Sequence, residues 1–287
     1  MTSAILPSHG APPSEEPAPD SGAEERPLGR RIGWRSPPNK LLSIVVVILG
    51  WQAIGLVNSR MHFYNPRLFP APADIIQAAW ALGQSGVLWI DILVSTWRVL
   101  EGVLFAAPVG IALGMAVGRI RWFEDSVEPI IELLRPIPPL ALLPMIILWF
   151  GIGEASKVFF IAYSCFFVFF TTVVVGVRNI DSVLLRAGQS LGLSWLQQQR
   201  FIIVQAVLPD IMLGLRLSLS VGFLVIVAAE FIAADTGLGY LINYSRTWFR
   251  VADMLVGAIC IGLLGVASNY TLVALERRMF QWRAAAQ

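Results

Sequence analysis

Five apolar runs, each close to or beyond the length of a bilayer-crossing helix, constrain this chain more than any other feature. They are Leu41–Val57, Ile92–Val117, Val158–Val177, Ile211–Ala234 and Met254–Leu275. A helix needs about 20 predominantly apolar residues to cross the hydrocarbon, with about 17 as the lower limit. Backbone groups at that depth have no water to bond, so a spanning run of this kind must be helical. A sixth stretch, Ile130–Phe150, is apolar but punctuated by Pro136, Pro138, Pro139 and Pro144 in ELLRPIPPLALLPMIILWF. Each proline removes a backbone donor, which excludes one straight helix. Two readings stand side by side: a helix beginning after Pro139, or a kinked span with Pro138 and Pro139 lining a pathway. The expected fold class is an all-α membrane protein with six transmembrane helices.

Composition points the same way. Hydrophobic residues make up 56% of the 287 and charged residues 14%, with a mean hydropathy of +0.68. Soluble domains average about 25% charged. The formal charge of +2 is too small for a nucleic-acid surface, so no nucleic-acid partner is expected. Cys165 and Cys260 both fall inside apolar runs and read as small buried hydrophobes rather than a disulfide. With only His9 and His62, no metal-ligand cluster can be assembled, and no metal site is expected.

The opening MTSAILPSHGAPPSEEPAPDSGAEE is Pro-rich and acidic, lacks the apolar core of a signal peptide, and reads as a disordered tail over 1–39. Arg26, Arg30, Arg31, Arg35 and Lys40 then precede the first run. Six spans put both ends on one side, and the positive-inside rule selects that side. Arg119, Arg121, Arg178, Arg186, Arg200, Arg277, Arg278 and Arg283 fall with the tail, against Arg60, Arg67, Lys157, Arg246 and Arg250 opposite. The excess gives an N-in, C-in orientation with a cytoplasmic tail.

Ionisable residues near or within spans are functional candidates because they are costly in lipid. Here they are Arg98, Glu101, Glu132, Arg135, Arg216, Glu230 and Asp253. Arg98 and Glu101 are three apart, which predicts an ion pair on one helix face. Arg216 lies near a span end and is read as snorkelling. Glu230, in VAAEFIAADTGLGYL, either lines a cavity or caps local backbone.

One polar segment interrupts the apolar pattern: RAGQSLGLSWLQQQRFIIVQAVLPD, residues 186–210. Its Gly188–Gly192 matches the GxSxG elbow of serine hydrolases, but that motif needs a strand–turn–helix context and a histidine base. Neither His9 nor His62 is placed to serve Ser190, so no catalytic residue is assigned. The residues instead predict two short helices about a glycine. Asp181 caps the first, with Leu184, Ala187 and Leu191 at helical spacing. Gly192 stops it. Ser194 and Gln197 form an S-x-x-Q capping box for the second, which Leu208-Pro209 is expected to end. Such a unit either transmits force between the flanking spans or lies passively on the headgroups.

The segment resembles the cytoplasmic EAA loop of ABC importer permeases, usually E-A-A-x-x-x-G followed by nine residues and I-x-x-P. Arg186, Ala187 and Gly188 stand where E-A-A would, Gly192 follows, and Ile202 lies ten positions on. Gln205 replaces the first proline, while Leu208-Pro209 matches a second L-P of the nitrate/sulfonate/taurine branch. LRPIPPLALLPMIILWFGIGEASK, AEFIAADTGLGYLI, LERRMFQW and FPAPADIIQAAW are also similar to that branch. The likeness runs from about Leu68 to Trp282.

The resemblance implies the type I importer (MetI-like) permease fold over 68–282, preceded by a first span and outer loop over 40–67. It implies an inner-membrane permease for a small oxyanion, most nearly taurine or an alkanesulfonate. A second permease copy would pair with it, and an extracytoplasmic solute-binding protein would deliver the solute. Each cytoplasmic ATPase of a dimer would grip the coupling loop 181–209, through Arg186, Ala187, Gly188, Gly192, Leu193, Ser194, Trp195, Gln197, Leu208 and Pro209. ATP and Mg would sit on that partner, none on this chain. The residues agree: a P-loop needs GxxxxGK[ST], and the only lysines, Lys40 and Lys157, follow Asn39 and Ser156. The rival class is a secondary transporter driven by an ion gradient, which often carries internal repeats; the two halves of this chain show none.

Overall fold

A computed structural model describes residues 40–61, 63, 65 and 67–279, and helices account for nearly all of them. The chain divides into residues 1–44 and 45–287. Of the first unit only the opening of one helix is described, and every contact below belongs to the second. The tail over 1–39, with Arg26, Arg30, Arg31 and Arg35, lies outside the described residues, as do His9, His62 and the end of the chain from residue 280.

The helices, in chain order, are α1 (Lys40–Met61), α2 (Pro72–Gln84), α3 (Val87–Arg119), α4 (Arg121–Ser126), α5 (Glu128–Leu134) and α6 (Pro139–Phe150). Then come α7 (Glu154–Arg178), α8 (Ser182–Ser190), α9 (Trp195–Gln198), α10 (Val204–Ala233), α11 (Leu238–Thr247) and α12 (Val251–Met279). A π-turn, Gln199–Ile203, joins α9 to α10.

Four helical stretches are long and apolar enough to cross a membrane: Val87–Arg119, Glu154–Arg178, Trp195–Ile232 and Val251–Arg278. Arg121–Leu134 and Pro139–Phe150 meet at 96° and count as a fifth if taken as one broken span. In α1 the apolar part is the shorter Leu42–Asn58. The proline-rich stretch thus shows the helix start of one sequence reading and the kink of the other. A helix does begin at Pro139, with Pro at the first helical position where its missing donor costs nothing. The segment as a whole is sharply bent.

The core sits where α3, α7 and α10 meet, with Val99, Val103, Ile161, Phe169, Phe223 and Ile226 buried together. The approach of α3 to α7 follows from a stripe every fourth residue: Gly102, Ala106, Gly110, Gly114 and Gly118. A Cβ on Gly110 would stand 2.6 Å from Phe169 Cβ. Small residues at this spacing let helix backbones close up without a hydrophobic driving force between them. Cys165 Sγ donates to the Ser218 carbonyl at 3.3 Å, and Ser218 Oγ returns a bond to the Cys165 carbonyl at 3.4 Å, tying α7 to α10.

Arg178, at the end of α7, donates to Glu124 at 2.9 Å and to Glu128 at 2.6 Å. That end of the bundle also carries α8 and α9. The start of α7 and the end of α10 lie at the opposite end, with α11.

Candidate functional site

Residues 181–204 make a knuckle of two short helices. Asp181 Oδ1 accepts from the Val183 amide at 2.8 Å and so caps α8. At its other end the Leu193 amide donates to the Gly188 carbonyl at 3.1 Å and the Gly192 amide to the Gln189 carbonyl at 2.9 Å. These are the two bonds of a Schellman closure, which needs a left-handed residue. Gly192 supplies it, at φ 74°.

The next helix opens two residues later on the capping box anticipated from Ser194 and Gln197. Ser194 Oγ accepts from the Gln197 amide at 3.4 Å, and Gln197 Oε1 accepts from the Ser194 amide at 2.8 Å. Buried Gln198 then fastens the two helices together, its Nε2 donating to the Leu185 carbonyl at 3.1 Å. Gly188 is buried against Ile202, whose Cδ1 would collide with any Cβ at that position. One hydrogen bond thus joins α8 to α9, and close packing joins α8 to the π-turn.

Three large apolar side chains of this polar segment are exposed. Leu191 is 80% exposed, Leu196 70% and Trp195 60%. Arg186, Ala187, Ser194 and Gln197 are also exposed, whereas Leu193 is half-buried. Leu191, Trp195 and Leu196 thus stand exposed on a segment of caps and turns.

Leu208 and Pro209 do not end the second helix. Pro209 lies inside α10, and the helix runs unbroken from Trp195 to Ile232. Within a helix the missing proline donor orphans only the carbonyl four residues back, that of Gln205. The departure from regular geometry comes earlier, as the π-turn at Gln199–Ile203. A wider turn of this type inserts one residue without breaking the helix.

A second cluster gathers at the opposite end of the bundle, around Arg98. It does not pair with Glu101. Its Nε and Nη2 grip Glu154 at 2.6 and 2.7 Å, and its Nη1 donates to Glu230 and to the Thr236 carbonyl, both at 2.7 Å. A guanidinium offers donors in a fixed planar fork, and two parallel bonds to one carboxylate outweigh a single same-helix contact. Lys157 Nζ adds a third bond to Glu154, at 2.9 Å. Glu154 remains 61% exposed while Arg98 and Lys157 are buried.

Glu230 is 0% exposed. Besides Arg98 it accepts from Ser95 Oγ at 2.8 and 2.9 Å and from the Gly239 amide at 2.7 Å. Asp91 Oδ1 accepts from the Gly237 amide at 2.8 Å, and Ser95 Oγ from the Leu238 amide at 2.8 Å. Three successive amides at the start of α11 are thus met by side chains of α3 and α10, at the helix end that favours negative charge. Gly237, at φ 120°, has no room for a side chain because the Glu230 carboxyl lies where its Cβ would be. Of the two roles weighed for Glu230, the geometry is that of holding backbone.

The remaining candidates are scattered. Pro138 is exposed and Pro139 half-buried at the α5–α6 bend. Glu132 and Arg135 are exposed nearby. Arg216 does more than snorkel, lying 3.7 Å from Glu276 of α12. Ser190 sits in the last turn of α8, bonded to the Arg186 carbonyl at 3.1 Å, in helical rather than elbow geometry. Sequence reasoning missed Asp91, Ser95, Glu154 and Gln198. The one signal for the first three was the T-G-L-G turn after Glu230, whose glycines make room for a carboxylate. Among the described residues no group of three or more His, Cys, Asp or Glu is placed to hold a metal ion.

Comparison with known proteins adds the following. The family described as binding-protein-dependent transport system inner membrane component matches residues 106–281. The taurine transport system permease protein TauC of Escherichia coli (strain K12) is 32% identical over 273 residues, 92% of this chain and 98% of that protein. The putative aliphatic sulfonates transport permease protein SsuC of the same organism is 35% identical over 237 residues, 83% of this chain and 90% of that protein. The riboflavin transport system permease protein RibX of Chloroflexus aurantiacus is 30% identical over 244 residues, 85% of this chain and 90% of that protein.

Proposed function

The chain belongs to the family of binding-protein-dependent transport system inner membrane components, the multi-pass permeases of ABC importers that are not themselves ATPases, and from that premise we propose that residues 181–209 are the handle by which a separate ATPase drives this permease. The observation that carries the reading is the knuckle: apolar Leu191, Trp195 and Leu196 bared on a mount whose ends and cross-link are all hydrogen-bonded. A surface built this way suits a partner groove, because little ordering entropy is lost when it docks.

In this proposal six spans run N-in, C-in, with residues 40–67 as the first span and outer loop ahead of a permease domain over 68–282. The knuckle then lies on the cytoplasmic side, one on each of two permease copies, each engaging one subunit of an ATPase dimer. ATP and Mg act on that dimer. Closure of the dimer moves the knuckles, and the spans pass between outward-open and inward-open states. Arg186, Ala187, Gly188, Gly192, Leu193, Ser194, Trp195 and Gln197 form the contact and its frame, and Leu208 and Pro209 the stalk behind it. The bend at Pro138 and Pro139 faces the pathway. A solute-binding protein outside delivers the solute, a small oxyanion such as taurine or an alkanesulfonate, in keeping with the names of TauC and SsuC.

The test is uptake by proteoliposomes holding the permease, its ATPase and its binding protein, with a panel of sulfonates outside and ATP within. Accumulation that requires ATP, and that disappears with Trp195→Ala together with ATPase copurification, is the expected result. Accumulation by the permease alone on a proton or sodium gradient would overturn it.

A further inference from the structure

Between α10 and α12 lies a groove of about 480 Å³, a size ordinary for a small-molecule site. Two rows of residues face each other across it: Ser220, Phe223 and Leu224 from α10, and Gly262, Gly265 and Asn269 from α12. The glycines leave room. A Cβ on either would meet nothing within 4 Å, whereas one on Gly110 of α3 would collide with α7.

Asn269 is the residue that needs explaining. It lies inside Val251–Arg278, a helix long and apolar enough to cross a membrane. Its amide offers two donors and an acceptor, yet among the described residues it bonds to nothing. Its neighbours differ: Ser268 and Thr271 return their hydroxyls to the Gly265 and Ala267 carbonyls of their own helix. Facing hydrocarbon, the Asn269 amide would forfeit every hydrogen bond that water gives it. The side chain is half-buried, but its amide atoms are not sealed off, so whatever fills the groove can reach them.

Both rows end in ions. Arg216 stands one helical turn from Ser220, and Glu276 two turns, about 10 Å, from Asn269. The two ions lie 3.7 Å apart with side chains 31% and 35% exposed. Polar groups within spans face either a water-filled cavity or another polar chain. The exposed ion pair at the end of this same groove decides for water, because a dry seam against a neighbouring helix would strand both charges at its margin.

We propose that the α10–α12 groove is a wall of the water-filled path, where Asn269 and Ser220 hydrogen-bond the solute as it crosses and Arg216 and Glu276 flank the cytoplasmic mouth. The inference rests on the importer reading and adds to it the surface that the solute passes.

Thiol labelling of the permease–ATPase complex in lipid nanodiscs tests it, with a charged methanethiosulfonate that reaches both faces but not the hydrocarbon. Only a thiolate reacts, and a thiol held in lipid stays protonated. Leu263→Cys serves as the comparison, since Leu263 is 61% exposed on α12 outside the groove. Asn269→Cys and Ser220→Cys are expected to label at least about tenfold faster, read above the unsubstituted chain with its Cys165 and Cys260. Labelling no faster than that of Leu263→Cys, with or without ATP, overturns the proposal. So does a disulfide joining the Asn269→Cys positions of two copies in place of labelling, which would make the groove a dry seam. Asn269→Leu gives a second reading: uptake should fall several-fold at unchanged yield and ATPase copurification, and wild-type uptake overturns the proposal. ATP-driven uptake with an unlabelled groove sinks this inference and leaves the importer standing. A labelled groove without ATP-driven uptake of any solute does the reverse.

Discussion

At one end of the Trp195–Ile232 helix the knuckle is held by bonds between near neighbours, such as Ser194 with Gln197 and Gln198 with Leu185 thirteen positions away. At the other end Glu230 is held by Ser95, 135 positions away, and Arg98, 132 away, while Asp91 reaches Gly237 across 146. The knuckle's hydrogen bonds are local, though Leu185 and Ile203 pack against Val173 and Val177 of α7, and Leu191, Trp195 and Leu196 are left outward. The charge cluster exists only once α3, α7 and α10 are packed, and it buries Arg98, Lys157 and Glu230 while leaving Glu154 outward. Local bonding therefore shapes the exposed knuckle, and long-range bonding ties three helices of the bundle together.

The comparison breaks first at Arg98. Arg98→Met leaves Glu230 buried without its cation, at a cost of about 3–5 kcal/mol. Folded permease should largely disappear from size-exclusion profiles in mild detergent; wild-type yield and unfolding temperature would deny the cluster its structural role. Gly192→Pro comes next. It forces φ away from 74° and removes the amide that closes α8. Membrane insertion and unfolding temperature should stay near wild type while ATP-driven uptake falls at least about tenfold, the equivalent of about 1.4 kcal/mol or more.

Ser194→Ala sharpens the same end more gently. Loss of an N-cap costs about 1 kcal/mol locally, so uptake should drop a few-fold, with copurified ATPase reduced rather than lost. Smallest of all is Glu154→Gln. Its carboxylate is mostly exposed, and the glutamine keeps an oxygen to accept from Arg98, so the loss is expected to stay well below that of Arg98→Met. A small fall in unfolding temperature, largest at low salt, is expected. A collapse as severe as that of Arg98→Met would mean that Glu154, not Glu230, anchors the guanidinium.

The same division explains what could be read from the residues alone. The apolar runs at 92–117, 158–177 and 254–275 lie within helices of 87–119, 154–178 and 251–279, because hydropathy over twenty residues is a local property. Caps at Asp181 and Ser194 were legible for the same reason. The expected Arg98–Glu101 pair failed because same-helix spacing carries no information about α7, which delivers Glu154 from 56 positions away. Leu208-Pro209 misled as a stop, since a proline costs one bond and tertiary packing around Val207 outweighs it. The Gly102–Gly118 stripe was present as a pattern and went unread, although it sets how closely α3 and α7 approach.

The stretch from Trp195 to Ile232 has a further consequence. Its 38 residues contain no break, and at 1.5 Å per residue they extend on the order of 57 Å. A capping box closes one tip and a fully buried glutamate sits near the other, with the π-turn at Gln199–Ile203 and Pro209 both in the half nearer the knuckle. If the knuckle is gripped as proposed, this one stretch is the covalent route from Trp195 to the T-G-L-G turn, and the π-turn and Pro209 are the two places along it where a helix most readily bends.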